Sequence, residues 1–232
     1  IGYYTDALGS EEGDYRIQIG SPFSPEQLDI IVQPLSTRYR DRTTSSSQIA
    51  KTIRAMTKNR GNFLVFFPSY QFLQMVMAEL QDYCGPAKIL IQNQGMSERE
   101  REGFLSAFEE ESDIPVIGFT VLGGIFSEGI DLVGNRLSGV IIIGVGLPQI
   151  NEERNLIREF YQSTGKNGFD YAYVYPGMNK VLQAAGRLIR SEQDKGTLVL
   201  IDDRFLTNKY QSLFPSMWSQ FKIIRSYKEI DT

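Results

Sequence analysis

The sequence predicts an α/β domain of three layers, in which a central, mainly parallel sheet is covered by helices on both faces. Short apolar runs alternate along the chain with longer segments whose apolar residues recur at helical spacing. Several of the short runs, such as "LSGVIIIGVGLP", are apolar throughout, which is typical of strands buried on both faces. Strands that alternate with helices in this way favour parallel pairing.

Six apolar runs are predicted to be the core strands. Turn-forming residues bound them, as Pro68 and Ser69 do after the second run. In chain order they are "LDIIV" (28–32), "NFLVFF" (62–67), "KILIQ" (88–92), "IPVIGF" (114–119), "LSGVIIIGVGLP" (137–148) and "GTLVLID" (196–202).

Five segments between these strands are predicted to be helices. A serine cap is expected to begin the first of them, and Gly61 to end it. Ser97 and Glu100 have the spacing of a capping box, which predicts the start of another. The helices are predicted over "SSSQIAKTIRAMTKNR" (45–60), "YQFLQMVMAEL" (70–80), "SEREREGFLSAFEE" (97–110), "QINEERNLIREFYQ" (149–162) and "MNKVLQAAGRLIR" (178–190).

The composition excludes several classes of site within this chain. It has no histidine and a single cysteine, Cys84, which excludes serine-protease-type triads, zinc hydrolase sites and multi-cysteine metal clusters. A net charge of −4 and a pI near 5.1 give no bulk attraction for nucleic acid, so such binding would depend on local charge. No apolar run approaches the roughly 20 residues of a membrane span, and we expect a soluble, cytoplasmic protein. The start "IGYYTDALGS" indicates a piece of a longer protein.

Ligands of parallel sheets bind in the loops that follow the carboxyl ends of the strands. Here those are the loops after Phe67, Gln92, Phe119 and Gly144. The sequence contains no G-x-x-x-x-G-K-[ST] loop, so it has no site of that kind for a nucleoside triphosphate. The "GVG" at 144–146 lacks a third glycine, which disfavours a dinucleotide site.

Two arginines stand at the end of the last predicted helix. Arg187 and Arg190 are three residues apart and Gln183 lies one turn earlier, so a continuous helix would place all three on one face. Guanidinium groups stay charged and their forked donors match phosphate oxygens. From spacing alone, the simpler interpretation is a solvated helix end, where arginine favours the helix dipole.

Three ordered motifs carry a family resemblance that covers essentially the whole chain. "QAAGRLIR" resembles the last motif of superfamily 2 helicases, Q-x-x-G-R-x-x-R, and "LVFFPSY" (64–70) and "GGIFSEGIDLVG" (123–134) resemble motifs IV and V of their XPD/DinG group. The resemblance implies the second RecA-like domain of such a DNA helicase. We expect residues 1–26 to be a lead-in from the preceding domain and residues 27–232 to be the motor domain.

The resemblance implies that ATP and Mg²⁺ are held mainly by an N-terminal RecA-like domain of the parent protein, which in this group also carries a four-cysteine iron–sulfur cluster. Arg187 and Arg190 would be arginine fingers that reach the γ-phosphate, and Gln183 would line the same cleft. Alone, the chain is expected to be inactive. The alternative is a catalytically silent RecA-like module that binds nucleic acid or serves as a scaffold.

The other motifs imply further sites. In motif V, Asp131 would accept a hydrogen bond from the nucleotide ribose and Glu128 would fix the loop, although a capped polar turn is the alternative. Gly129 would admit backbone close to the nucleotide or permit a tight turn. Single-stranded DNA would be contacted by Ser127, Ser69 and Tyr70. Ser69 has an equally good structural role as a helix N-cap.

Two further segments have weaker patterns. The cluster "RYRDR" (38–42) interleaves Tyr39 with three arginines, which is consistent with a grip on a phosphate backbone, but a solvated segment is the simpler interpretation. Trp218 and Phe214 are expected to dock the C-terminal segment onto the core.

Overall fold

A computed structural model describes residues 2–11, 13–17, 19–58, 61–80, 87–109, 114–126 and 136–230. Its strands are β1 (Leu28–Gln33), β2 (Phe63–Phe67), β3 (Lys88–Ile91), β4 (Val116–Val121), β5 (Gly139–Ile143), β6 (Gly196–Ile201) and β7 (Lys222–Ile223). Within the described residues they form one seven-stranded sheet, in the order β3-β4-β2-β5-β6-β1-β7. Every neighbouring pair is parallel.

Helices connect most of the strands. They are α1 (Gly2–Ala7), α2 (Arg42–Thr57), α3 (Tyr70–Glu79), α4 (Glu98–Glu109), α5 (Glu152–Ser163), α6 (Tyr175–Ala185) and α7 (Asn208–Gln211), and a π-helix at Asp170–Val174 leads directly into α6. Among the described residues, none of the helices has both the length and the apolar character needed to span a bilayer.

Alternate side chains of the strands build a core on each face of the sheet. On one face Leu64 and Phe66 of β2 belong to a buried cluster with Phe104 of α4 and Val181 of α6. On the other face Phe63, Val65 and Phe67 of β2 belong to a second cluster, which includes side chains from α2 and α3. The three-layer α/β prediction is therefore confirmed.

The predicted serine cap of α2 is wrong. A short 3₁₀ turn at Tyr39–Asp41 runs directly into the helix, which therefore begins at Arg42 and contains the serines. The Ser45 hydroxyl donates to the carbonyl of Asp41 at 3.0 Å instead of accepting from an amide. Serine hydroxyls inside a helix bond back to the preceding turn in this way. The helix ends at Thr57, and Gly61 adopts a φ of +85° before β2.

The last predicted helix ends earlier than the sequence indicates. α6 stops at Ala185, so Arg187 and Arg190 lie in the loop that follows, and the expectation of one continuous helical face is wrong. The Asp194 carboxylate accepts hydrogen bonds from the backbone amides of Arg190 and Ser191, both at 2.8 Å. These contacts replace the helical hydrogen bonds that the two amides would otherwise make.

The C-terminal segment docks as predicted. Trp218 is buried, and its ring meets that of Phe214 edge-on at 5.2 Å between centroids. After Trp218 the chain forms the two-residue strand β7, which pairs with β1 at the edge of the sheet, and then a 3₁₀ turn at Tyr227–Glu229.

Candidate functional site

The arginine loop, residues 186–195, lies at the amino end of the sheet. It joins α6 to β6, whose first residue Gly196 pairs with Leu28 at the start of β1. Arg187 and Arg190 are both half-buried in this loop. Gln183 is exposed on the last turn of α6.

Two buried polar side chains hold the backbone of the arginine loop. The carboxylate of Asp194, which is only 4% exposed, accepts hydrogen bonds from the backbone amides of Arg190 and Ser191. Gln27, at 8% exposure, donates from its side-chain amide to the carbonyls of Ser191, Glu192 and Asp194 at 2.9, 3.2 and 2.8 Å. The side-chain oxygen of Gln27 in turn accepts from the amide of Ser24, which ties the loop to the start of β1. The sequence motifs singled out neither residue.

Ser69 and Tyr70 lie at the opposite, carboxyl end of the sheet. The Ser69 hydroxyl accepts from the amide of Phe72 at 3.3 Å and so caps α3, which confirms its structural role. The Tyr70 hydroxyl accepts from Gln92 at 2.9 Å, and Gln92 accepts from the amide of Val121. Burial raises the pKa of the Tyr70 phenol, and the hydrogen bond from Gln92 opposes that rise.

The structure thus separates the predicted site residues into two groups. A helix that connects two parallel strands returns the chain from the carboxyl end of one strand to the amino end of the next. α6 makes this return between β5 and β6, so the arginine loop lies at the amino end, whereas the loop after β2 carries Ser69 and Tyr70 at the carboxyl end.

A buried polar network fixes the loops after β1 and β6 at the carboxyl end. Asp202 is 0% exposed, and its carboxylate accepts from Arg204 at 2.8 Å and from the hydroxyl of Thr37. Burial alone would raise the pKa of the Asp202 carboxyl, but the hydrogen bond and charge of Arg204 outweigh it and hold this pKa below its usual value. The signal in the sequence was "IDDRF", whose two carboxylates directly follow a buried strand.

The loop after β4 begins with a tight turn. Gly123 has a φ of +72°, and a Cβ built there would lie 2.9 Å from the side chain of Lys180 on α6. The positive φ is the reason that this turn favours glycine, since the end of the flexible Lys180 side chain can move aside. Ser127, Glu128, Gly129 and Asp131 of the same loop, and Cys84, lie outside the described residues.

A family model described as the helicase C-terminal domain matches residues 52–221, which is more than half of the chain. The chain belongs to this family. The match includes β2 to β6, Ser69 and the arginine loop, and it confirms the resemblance found in the sequence motifs.

Individual relatives agree with that assignment of a DinG/XPD-like helicase C-terminal domain. The chain is 29% identical over 231 residues to the ATP-dependent DNA helicase DinG of Photobacterium profundum, covering 97% of this chain and 33% of that protein. It is 27% identical over 203 residues to the 3'-5' exonuclease DinG of Bacillus subtilis, covering 85% of this chain and 21% of that protein. The chain therefore spans a third or less of the length of these curated relatives.

Solved structures agree with the fold. An XPD helicase structure superposes with a TM-score of 0.68 at 21% identity, covering 85% of this chain and 35% of that one. At this identity the likeness shows the RecA-like fold of this helicase C-terminal domain, in agreement with the expected fold class.

The residues of this chain suit one of the implied cofactors; the other, the iron–sulfur cluster, is implied only for the N-terminal domain of the parent. Two half-buried arginines on a fixed loop suit the oxygens of a nucleotide phosphate. A single cysteine does not fit a four-cysteine iron–sulfur cluster. Among the described residues, no group of three or more histidine, cysteine, aspartate or glutamate side chains is arranged to hold a metal ion.

Proposed function

We propose that this chain is the C-terminal motor domain of an ATP-dependent DNA helicase of the DinG/XPD type. The parent protein would couple ATP hydrolysis to movement along single-stranded DNA. The matched family and the printed name of the Photobacterium relative support this proposal. Its partners would be single-stranded DNA and the N-terminal RecA-like domain of the same parent.

The observation that carries the proposal is the fixed backbone of the arginine loop. Asp194 and Gln27 between them make five hydrogen bonds to main-chain groups of residues 190–194. A loop held in this way needs little reorganisation before its arginines stabilise a developing negative charge. We assign Arg187 and Arg190 as the arginine fingers, and Gln183 on the preceding turn as a residue lining the same cleft.

The nucleotide would be bound between this domain and the N-terminal one. ATP with Mg²⁺ supplies the phosphoryl group, and most of its contacts are assigned to the absent domain. On this chain, Asp131, Glu128 and Gly129 are proposed to contact or position the nucleotide. Closure of the two domains would bring Arg187 and Arg190 to the phosphates, and opening would withdraw them.

Single-stranded DNA would be bound at the other end of the sheet, the carboxyl end. Ser69 and Tyr70 are held there by the helix cap and by Gln92, and Ser127 is proposed to join them. The nucleotide contacts and the DNA contacts would then lie at opposite ends of one rigid sheet. Domain closure could therefore alter the binding of single-stranded DNA without local unfolding.

ATP hydrolysis by the chain alone and by the full-length parent tests the proposal. The isolated chain should release no phosphate above background, and the parent should hydrolyse ATP when single-stranded DNA is added. In the parent, Arg187→Ala or Arg190→Ala should lower the maximal rate by about 10³–10⁵-fold. Arg225→Ala, which removes an exposed arginine remote from the loop, is the matched control and should leave the rate unchanged.

Two results would contradict the proposal. Hydrolysis by the isolated chain that is lost in Arg190→Ala would show that the chain carries a complete site. A parent that binds DNA without hydrolysing ATP, and that is indifferent to both arginine substitutions, would favour the silent binding or scaffolding module.

A further inference from the structure

The three arginines of the "RYRDR" segment have different surroundings. Arg38 forms an ion pair with Asp203 at 2.7 Å. Arg40 has a side chain that is 82% exposed and lies 3.5 Å from the Asp41 carboxylate. Arg42, at the first position of α2, makes no ion pair with a carboxylate among the described residues.

Arg42 is nevertheless fixed in place. Its Nε donates to the carbonyl of Thr37 at 3.3 Å, and its Nη1 donates to the Ser69 hydroxyl at 3.4 Å. The guanidinium carbon lies 4.8 Å from the ring centroid of Phe72, which belongs to the core. The guanidinium is therefore positioned beside the N-terminus of α3, at the carboxyl end of the sheet.

Among the described residues, no carboxylate forms an ion pair with the Arg42 guanidinium. Burial lowers the pKa of this guanidinium, and the nearby charge of Arg204 lowers it further, while Tyr39 acts in the opposite direction. Two carboxylates of the loop after β6, Asp202 and Asp203, are paired with Arg204 and Arg38. A half-buried cation that no described carboxylate neutralises favours the binding of an anion there.

Ser69 supplies a second donor at the same point. Its oxygen accepts hydrogen bonds from Arg42 and from the amide of Phe72, which uses its two lone pairs. The hydroxyl hydrogen has no acceptor among the described residues. Capping α3 and donating to an anion are therefore compatible roles for this one side chain.

Tyr39 supplies an aromatic surface beside the cation. Its ring centroid lies 5.5 Å from the Arg42 guanidinium, and the residue is 74% exposed. A tyrosine that is held near a cation and otherwise faces solvent has a ring surface available for stacking.

We propose that Arg42, Ser69 and Tyr39 bind one nucleotide unit of single-stranded nucleic acid. Arg42 and the Ser69 hydroxyl bind a phosphodiester oxygen, and the adjacent base stacks on Tyr39. This inference rests on the proposed function, because it assumes that the strand passes the carboxyl end of the sheet. It adds Tyr39 and Arg42, which precede motif IV in the chain, to the nucleic-acid contact already proposed for Ser69.

Fluorescence anisotropy of the chain with a short labelled oligothymidylate tests the site. Arg42→Ala should weaken binding about tenfold at low salt, and the slope of log affinity against log salt should become less steep by about 0.7, the value for one phosphate contact on a single strand. Arg40→Ala removes the same charge from an exposed side chain and should change neither quantity. Equal effects of the two substitutions would overturn the proposal.

Tyr39 is tested by a matched pair of variants. Tyr39→Ala should weaken binding about tenfold through the loss of stacking, without a change in the salt slope, and Tyr39→Phe should bind like the wild-type chain. Unchanged affinity in Tyr39→Ala would overturn the stacking assignment.

Two further measurements test whether a variant loses binding because it is unfolded and whether the site binds a ligand other than nucleic acid. Arg42→Lys keeps the charge and should retain the wild-type salt slope, and circular dichroism melting should show that each variant used is folded. Inorganic phosphate or ATP should not displace the oligonucleotide at millimolar concentration. Displacement by ATP would overturn the assignment to single-stranded nucleic acid in favour of a mononucleotide site.

If the wild-type chain does not bind the oligonucleotide, the proposed function fails. If it binds and Arg42→Ala is unchanged, only this inference fails.

Discussion

The loops at the two ends of the sheet are held in place by different contacts. In the loops after β1 and β6 at the carboxyl end, ion pairs and side-chain hydrogen bonds join the buried Asp202 carboxylate to Arg204 and Thr37, and Arg38 to Asp203. At the amino end, two side chains bind main-chain groups of the arginine loop instead. The difference indicates that the contacts between the loops after β1 and β6 set the positions of individual charges, whereas the contacts at the amino end set the path of a loop.

The largest effect is expected from breaking the carboxyl-end network. Asp202→Ala leaves Arg204, whose side chain is 19% exposed, without its carboxylate. Loss of one partner of a buried ion pair should lower the free energy of unfolding by about 3–5 kcal/mol, as measured by urea denaturation. Asp203→Ala breaks the exposed pair with Arg38 and should cost less than about 1 kcal/mol. A similar cost for both substitutions would show that the buried network is not what stabilises this end.

The same network predicts a dependence of stability on pH. The Asp202 carboxyl has a folded-state pKa below its unfolded value, so its contribution is present above about pH 4 and is lost as pH falls through the folded pKa. Urea denaturation of the wild-type chain and of Asp202→Asn should therefore converge at acid pH. A constant difference between them from pH 7 down to pH 2 would contradict the assigned shift.

A smaller effect is expected at the amino end, where the isosteric change Gln27→Glu reverses the hydrogen bonding. The glutamate side chain keeps an oxygen that accepts from the backbone amide of Ser24. Its second oxygen, however, faces the three carbonyl oxygens that now accept hydrogen bonds from the side-chain nitrogen of Gln27. The free energy of unfolding should fall by about 1–3 kcal/mol. In the parent, the maximal ATPase rate should fall with it, because the arginine loop is displaced.

Glu26→Gln is the matched control for this change, since Glu26 is exposed on the neighbouring position. It should alter neither stability nor rate. A stable Gln27→Glu variant with an unchanged rate would show that the loop does not depend on these contacts.

The smallest effect is expected from the cap of α3. Ser69→Ala removes the acceptor for the Phe72 amide and should cost about 1 kcal/mol, whereas Ser69→Gly should cost only a few tenths. Thermal unfolding of the two variants measures the difference. Equal costs would indicate that Ser69 stabilises the fold mainly through Arg42 and not through the cap.

Most of the fold was predictable because buried strands and amphipathic helices leave strong local patterns. The apolar run of β5 and the capping box at Ser97 and Glu100 are examples, and the structure confirms the reciprocal bonds of that box. β7 was missed, because two residues are too few to produce a pattern.

The site was less predictable because its geometry depends on contacts between distant parts of the chain. In "QAAGRLIR", Gly186 is a local signal for the stop at Ala185, but the path of the loop after it depends on Asp194 and on Gln27, which is more than 160 residues away. Likewise, the distinction between Arg42 and Arg40 depends on which carboxylates the fold brings close. Motifs identified the residue types, and tertiary contacts assigned their surroundings.

The most direct test of the account is a steady-state measurement of DNA-stimulated ATP hydrolysis by the full-length parent carrying Arg190→Ala or Arg42→Ala. The account predicts that Arg190→Ala lowers the maximal rate by about 10³-fold or more, with little change in the concentration of single-stranded DNA that gives half-maximal stimulation. Arg42→Ala should instead raise that DNA concentration about tenfold. If both substitutions lower the maximal rate and weaken DNA stimulation in the same proportion, the two ends of the sheet do not have separate functions and the account is wrong.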